Sequence, residues 1–128
     1  MPNVLPMHPL DSYLSETQIS VLKAAVNRII PADDFPSGWD AGADNFFAHL
    51  LTMEPQFLFT YRQGLNLPEA ELFISAGPEE QDFQLTRFEA SFFTLLVSQT
   101  MEGFYADPGN GGNKDGIAWK MIGFEVTA

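Results

Sequence analysis

The 128-residue chain contains no cysteine. Disulfides, thiolate zinc sites, iron–sulfur ligation and cysteine nucleophiles are thereby excluded. Bases are scarce as well: Lys23, Arg28, Arg62, Arg87, Lys114 and Lys120 stand against 17 acids, for a formal net charge of −11. They are scattered rather than clustered, which makes nucleic acid and anionic membrane poor partners. Histidine is limited to His8, in a proline-rich stretch, and His49, four residues after Asn45. With no Gly-x-Ser-x-Gly elbow these two make no nucleophilic triad, and His49 reads as a helix-surface or boundary residue. Long apolar runs are missing too. The most apolar stretch, Phe92 to Val97 with Thr94 inside it, is far short of the roughly 20 residues that span a bilayer. The first ten residues hold three prolines and lack a positive n-region, an arginine pair and an apolar h-region, so they do not read as a signal peptide. The compartment expected from this is the cytoplasm, with the periplasm as alternative if a partner carries the chain across or a signal has been removed.

What remains is a globular composition. Hydrophobic residues make up 45% of the chain, and twelve Phe against two Trp and three Tyr predict a phenylalanine-rich core. The length suits one domain with one core. It divides into an extended arm over 1–13, a helical core over 15–103 and a C-terminal loop segment over 104–128.

Helix signals dominate the middle. Ser15 with Gln18 three residues on is a capping-box spacing, in which each side chain satisfies an orphan backbone donor of the first turn. Ile19, Leu22, Val26, Ile29 and Ile30 follow at helical intervals, and Pro31 ends the run. Ala32 to Gly38 is turn-rich. Asp40 is the expected N-cap of a second helix with Ala43, Phe46, Phe47, Leu50 and Leu51 inward. Pro55 to about Gln63 predicts a short third helix with Phe57, Leu58 and Tyr61 inward and Gly64 as its stop. Leu65 to Gly77 suggests only a helical turn. The longest, central helix is expected from Pro78, whose first turn carries Glu79, Glu80 and Asp82, to Gly103, with Leu85, Phe88, Phe92, Leu95, Leu96 and Gln99 recurring at three and four. No stretch alternates with period two. The fold class is therefore all-α, a small bundle of four or five helices with a long Gly- and aromatic-rich C-terminal loop.

That loop is the segment with most to say about function. Between Gly103 and Phe124 lie six glycines and four aromatic residues, a composition for a shaped loop that closes over the core or offers a sticky face to another chain. Phe104, Tyr105, Trp119, Ile122 and Phe124 are the candidate partner-binding residues, of types that anchor interfaces. Gly109, Gly111, Gly112 and Asn113 are candidate structural loop residues. Asp107, Asn110, Asn113 and Asp115 supply oxygens for a hard cation, but the EF-hand pattern wants a glutamate where Ala118 stands. The glycines lack a Gly-Lys-Ser/Thr ending or a dinucleotide fingerprint. Asp33, Asp34, Asp40 and Asp44 are close in sequence, and turn formation and capping explain most of them better than acid–base chemistry. No catalytic, cofactor-binding or metal residue is assigned. A stand-alone cation-binding or small enzymatic module built on the Asp107–Asp115 loop is the alternative.

Two blocks carry a resemblance. Leu22-Lys23-Ala24-Ala25-Val26-Asn27-Arg28-Ile29-Ile30-Pro31-Ala32-Asp33-Asp34, followed by Pro36-Ser37-Gly38 and Ala41-Gly42-Ala43, is one. Thr100 to Phe124, with Gly-Phe-Tyr, Gly-Gly-Asn, Trp-Lys and Ile-Gly-Phe in order, is the other. With them the chain resembles the gluconate 2-dehydrogenase subunit 3 family, small subunits of bacterial flavin-dependent sugar and polyol dehydrogenases. The resemblance implies a noncatalytic, chaperone-like subunit that binds, stabilises and helps mature a large FAD-carrying partner of the glucose-methanol-choline oxidoreductase type, in a heterodimer. FAD would sit in the partner, and some assemblies add a cytochrome c subunit. Members often carry a twin-arginine export signal, from which this chain departs. Similar small subunits accompany glucoside 3-dehydrogenases, so the resemblance leaves gluconate, glucose and glucosides open as substrates.

Overall fold

The computed structural model describes residues 8–33 and 36–104. Among these the protein is helical, with α1 over Glu16–Ile29, α2 over Asp44–Met53, α3 over Leu58–Gly64, α4 over Ala70–Ser75, α5 over Pro78–Leu85 and α6 over Ala90–Phe104. A wide turn, Trp39–Ala43, precedes α2, and a 3₁₀ turn, Pro55–Phe57, leads into α3.

The start of α1 follows from local chemistry. Ser15 Oγ accepts from Gln18 N–H at 3.1 Å, and Gln18 Oε1 accepts from Ser15 N–H at 2.9 Å. Both halves of the capping box are made. Val21, Leu22, Ala25 and Val26 form the buried face of α1, and the helix packs against α4, α5 and α6. The central position therefore belongs to α1, where the sequence pattern had pointed to the helix after Pro78.

That later helix is two. Thr86 to Glu89 interrupts it, and α6 starts afresh because the Glu89 carboxylate accepts from Ser91 N–H at 3.1 Å and Phe92 N–H at 2.9 Å, together with the Ser91 hydroxyl. These bonds hold Glu89 below its ordinary carboxylate range, the Ser91 hydroxyl contributing most. A side chain that satisfies free helix donors can end one helix and begin another without glycine or proline. This break and the appearance of α4 raise the α-helix count among the described residues to six.

The second helix also starts later than Asp40. The chain returns along the end of α1, with Gly38 N–H bonded to Ile30 O at 2.9 Å and Trp39 N–H to Asn27 Oδ1 at 3.1 Å. It then makes a wide turn closed by Ala43 N–H to Gly38 O at 3.2 Å. Gly42 sits there at φ 109°, a left-handed conformation that a residue with a Cβ adopts only under strain. Helical geometry resumes after it. Asp40 lies inside this turn, and its own N–H donates to Ser37 Oγ at 3.3 Å.

The described part of the N-terminal arm is folded rather than extended. Leu14 N–H reaches Leu10 O at 3.0 Å, and both leucines are buried in the main core. Burying two leucines outweighs the preference of a proline-rich stretch for extended backbone.

The core is aromatic as composition predicts. Phe46 meets Phe47 edge-on at 5.7 Å between ring centres, Phe47 meets Tyr61 at 5.4 Å, and Tyr61 meets Phe92 at 5.4 Å. Phe92 stacks near Phe88 at 6.3 Å and Phe88 tilts against Phe73 at 5.6 Å. One chain of rings thus ties α2, α3, α6 and α4 together, each offset contact adding about 0.5–1.5 kcal/mol beyond the area it buries.

An ion pair adds a surface clasp between α1 and α5. Arg28 Nε donates to Asp82 Oδ1 at 2.8 Å and Arg28 Nη2 to Asp82 Oδ2 at 3.0 Å. The bond to Arg28 holds the Asp82 carboxyl below its ordinary value. A carboxylate lowered on folding contributes stability that is complete above its unfolded pKa and is lost as pH falls through the folded one. Asp82→Asn is therefore expected to lower the melting temperature at pH 7, with the gap from wild type narrowing below about pH 4. The comparison with wild type separates this from the opposite effect of acid on a chain of net charge −11, whose self-repulsion weakens as carboxylates protonate. A gap that persists undiminished at low pH would assign the loss to packing.

Candidate functional site

Of the candidate partner-binding residues, only Phe104 falls within the described residues. It is the last residue of α6, 3% exposed, and packs with Ile30 and Ala41 against the end of α1 and the wide turn. As a helical residue sealing a small core of its own, Phe104 has no surface left to anchor another chain in this conformation. Tyr105, Trp119, Ile122 and Phe124, the loop residues Gly109, Gly111, Gly112 and Asn113, and the Asp107–Asp115 run all lie outside the described residues.

Among the described residues, Tyr61 and His8 are held by specific contacts. Tyr61 donates its hydroxyl to Gln99 Oε1 at 2.5 Å, and burial, reinforced by the charge of Glu102, pushes its ionisation far above the ordinary value. The hydroxyl stays protonated and joins α3 to α6. His49 is exposed. His8 stacks on Trp39 with ring centres 5.7 Å apart, accepts from Leu10 N–H at Nδ1, and lies with Nε2 3.5 Å from Asp44 Oδ2. That last separation is an electrostatic contact longer than a hydrogen bond. Sequence reasoning missed this His8–Trp39–Asp44 cluster because Trp39 falls among turn residues whose spacing carries no period. No three His, Cys, Asp or Glu side chains among the described residues are grouped to hold a metal ion.

A partly recessed face surrounds Phe83, lined by α5 and by the Leu67–Glu69 segment that precedes α4. Its geometry begins with an inversion on α5. Gln81 is turned inward and buried, and its Nε2 donates to Phe73 O at 2.9 Å, satisfying a carbonyl at the end of α4. Leu85 joins it inside. Phe83 then projects outward and is 56% exposed. Phe83 lines a cleft of about 500 Å³ shared with Leu67, Pro68, Glu69, Glu80, Gln84 and Arg87. It also lines a more open hollow bounded by Gly77, Pro78, Glu79 and Glu80. Pro78 at the first helical position and the two glutamates of the first turn have a local explanation, since a helix start tolerates proline and favours negative charge. Phe83 has none. Its ring carries the Arg87 guanidinium carbon 5.9 Å from its centre, a weak exposed cation–π contact.

A sequence profile described as gluconate 2-dehydrogenase subunit 3 matches residues 16–125, and the chain belongs to that family. The resemblance carried by the Leu22 and Thr100 blocks is thereby established. Neither a curated protein nor a solved structure matches the chain. No helix among the described residues is long and apolar enough to cross a membrane.

Proposed function

We propose that the chain is the noncatalytic small subunit of a flavin-dependent sugar or polyol dehydrogenase, binding and stabilising the FAD-bearing catalytic subunit and helping it mature. Membership of a family described as a dehydrogenase subunit, over residues 16–125, is the observation that carries this reading. The substrate hydroxyl would be oxidised in the partner, of glucose-methanol-choline type, and the electrons would pass from its flavin to an acceptor such as a cytochrome c subunit. The charge of −11 suits a subunit kept soluble until it meets a partner.

The test is to express the small chain, the flavoprotein dehydrogenase of the same genome, and the two together. Flavin absorbance and dye-coupled oxidation of gluconate, glucose and a glucoside are then recorded for each. The expected result is a colourless, inactive small chain and a larger yield of soluble, flavin-loaded, active enzyme from the pair than from the large subunit alone. Flavin held by the small chain alone, or an equal yield without it, would contradict the proposal.

A further inference from the structure

We propose that the face around Phe83 is a docking surface, and that its occupant is a segment of the catalytic subunit carrying an apolar side chain flanked by lysine or arginine. This rests on the reading of the chain as a dehydrogenase subunit and adds to it which face binds and what it binds.

Three observations select the face and its occupant. Phe83 is 56% exposed and is one of several large apolar side chains left at the surface, with Met53, Phe59 and Leu72. With Gln81 and Leu85 taking the inward positions of α5, its ring faces outward and leaves apolar area for another chain to cover. The ring also lines two hollows, the cleft toward Leu67 and Pro68 and the more open one beside Pro78, so an incoming apolar side chain there meets walls as well as a ring. Recessed apolar contacts of this kind concentrate binding energy because water is excluded from them. The rim, finally, is negative: Glu69, Glu79 and Glu80 border the hollows and Arg87 is the one base there, already held over the Phe83 ring.

Charge decides between possible occupants. A second copy would bring the same glutamates and a net charge of −11 against this rim, and like charges opposed across an interface are unfavourable. The chain's own residues 105–128 carry Lys114 and Lys120 against Asp107, Asp115 and Glu125, so they offer no net positive charge. A basic, apolar segment on the catalytic subunit satisfies both the ring and the rim. Long-range attraction to the glutamates would also speed its encounter.

The experiment measures binding of the purified small subunit to the purified flavoprotein dehydrogenase by titration calorimetry, for wild type, Phe83→Ala, Phe83→Tyr and Glu79→Lys. Phe83→Ala is expected to weaken binding about tenfold or more. Phe83→Tyr should keep most of the affinity, and Glu79→Lys should weaken binding most strongly at low salt. The melting temperature of each isolated small subunit is recorded alongside. It should hardly change for Phe83→Ala, whereas a large drop would show that the ring is covered by the protein's own chain and overturn the proposal. Wild-type affinity retained by Phe83→Ala would overturn the docking face while leaving the subunit reading intact. Failure of wild type itself to bind would remove both. A dimer of the small subunit dispersed by Phe83→Ala would assign the face to self-association instead.

Discussion

Phe47→Ala is expected to cost about 3–5 kcal/mol of folding stability, the range for truncating a fully buried aromatic ring. Phe47 is fully buried and sits between Phe46 and Tyr61 in the chain of rings, so its removal opens a hole that both neighbours border. Domains of this kind are stable by only about 5–15 kcal/mol, so this one change removes a large share of the total. The melting temperature should fall by about 10–20 °C, followed by circular dichroism, at roughly 3–5 °C for each kcal/mol. Phe47→Leu fills part of the volume but loses both ring contacts and should cost less, about 1–3 kcal/mol. Equal large losses for the two variants would show that the ring itself rather than the volume it fills holds α2 to α3, and a small loss for Phe47→Ala would show that Phe47 does not hold them.

Gly103→Ala offers a sharper contest, because two effects oppose each other at one position. In a helix interior Ala is favoured over Gly by about 1 kcal/mol. A Cβ at residue 103, however, would lie 2.5 Å from Cδ2 and 2.6 Å from Cγ of Phe46. Phe46 is buried against Phe47 and cannot swing aside without opening the core. Overpacking of this kind costs about 1–3 kcal/mol, so the clash should match or exceed the helix gain, for a net loss of up to roughly 2 kcal/mol. Combining the change with Phe46→Leu makes room for the methyl group and should recover part of the loss, a coupling that a double-mutant cycle reads directly. A stabilised Gly103→Ala would show that α6 and α2 are farther apart than their packing here.

Gly103 illustrates what the sequence could and could not convey. Read locally, a glycine after an apolar run is a helix stop, yet α6 continues to Phe104 and the glycine is there to let α6 approach Phe46. Signals closed within a few residues were legible. The Ser15–Gln18 capping box, the buried stripe of α2 and the stop of α3 at Gly64 all lie where spacing and composition put them. Signals that depend on distant partners were not. Glu89 starts α6 by folding its carboxylate onto donors two and three residues ahead, in a stretch whose apolar period continues unbroken across it. The left-handed turn at Gly42 delays α2, and nothing in Asp40 announces that. The Phe83 face was hidden for the same reason: Gln81 is buried to satisfy carbonyls of α4, a need invisible along α5 itself. Interface expectation therefore settled on the C-terminal aromatics, of which Phe104 turns out to seal the protein's own core.

The subunit role is tested most directly by mass. The purified small chain, 14.2 kDa, is mixed at micromolar concentration with the flavoprotein dehydrogenase of the same genome, and the mixture is run through size exclusion with light scattering and flavin absorbance recorded together. The account predicts a single flavin-bearing peak whose mass is that of both chains. Two separate peaks, with the flavin and its activity unchanged by the small chain, would contradict it.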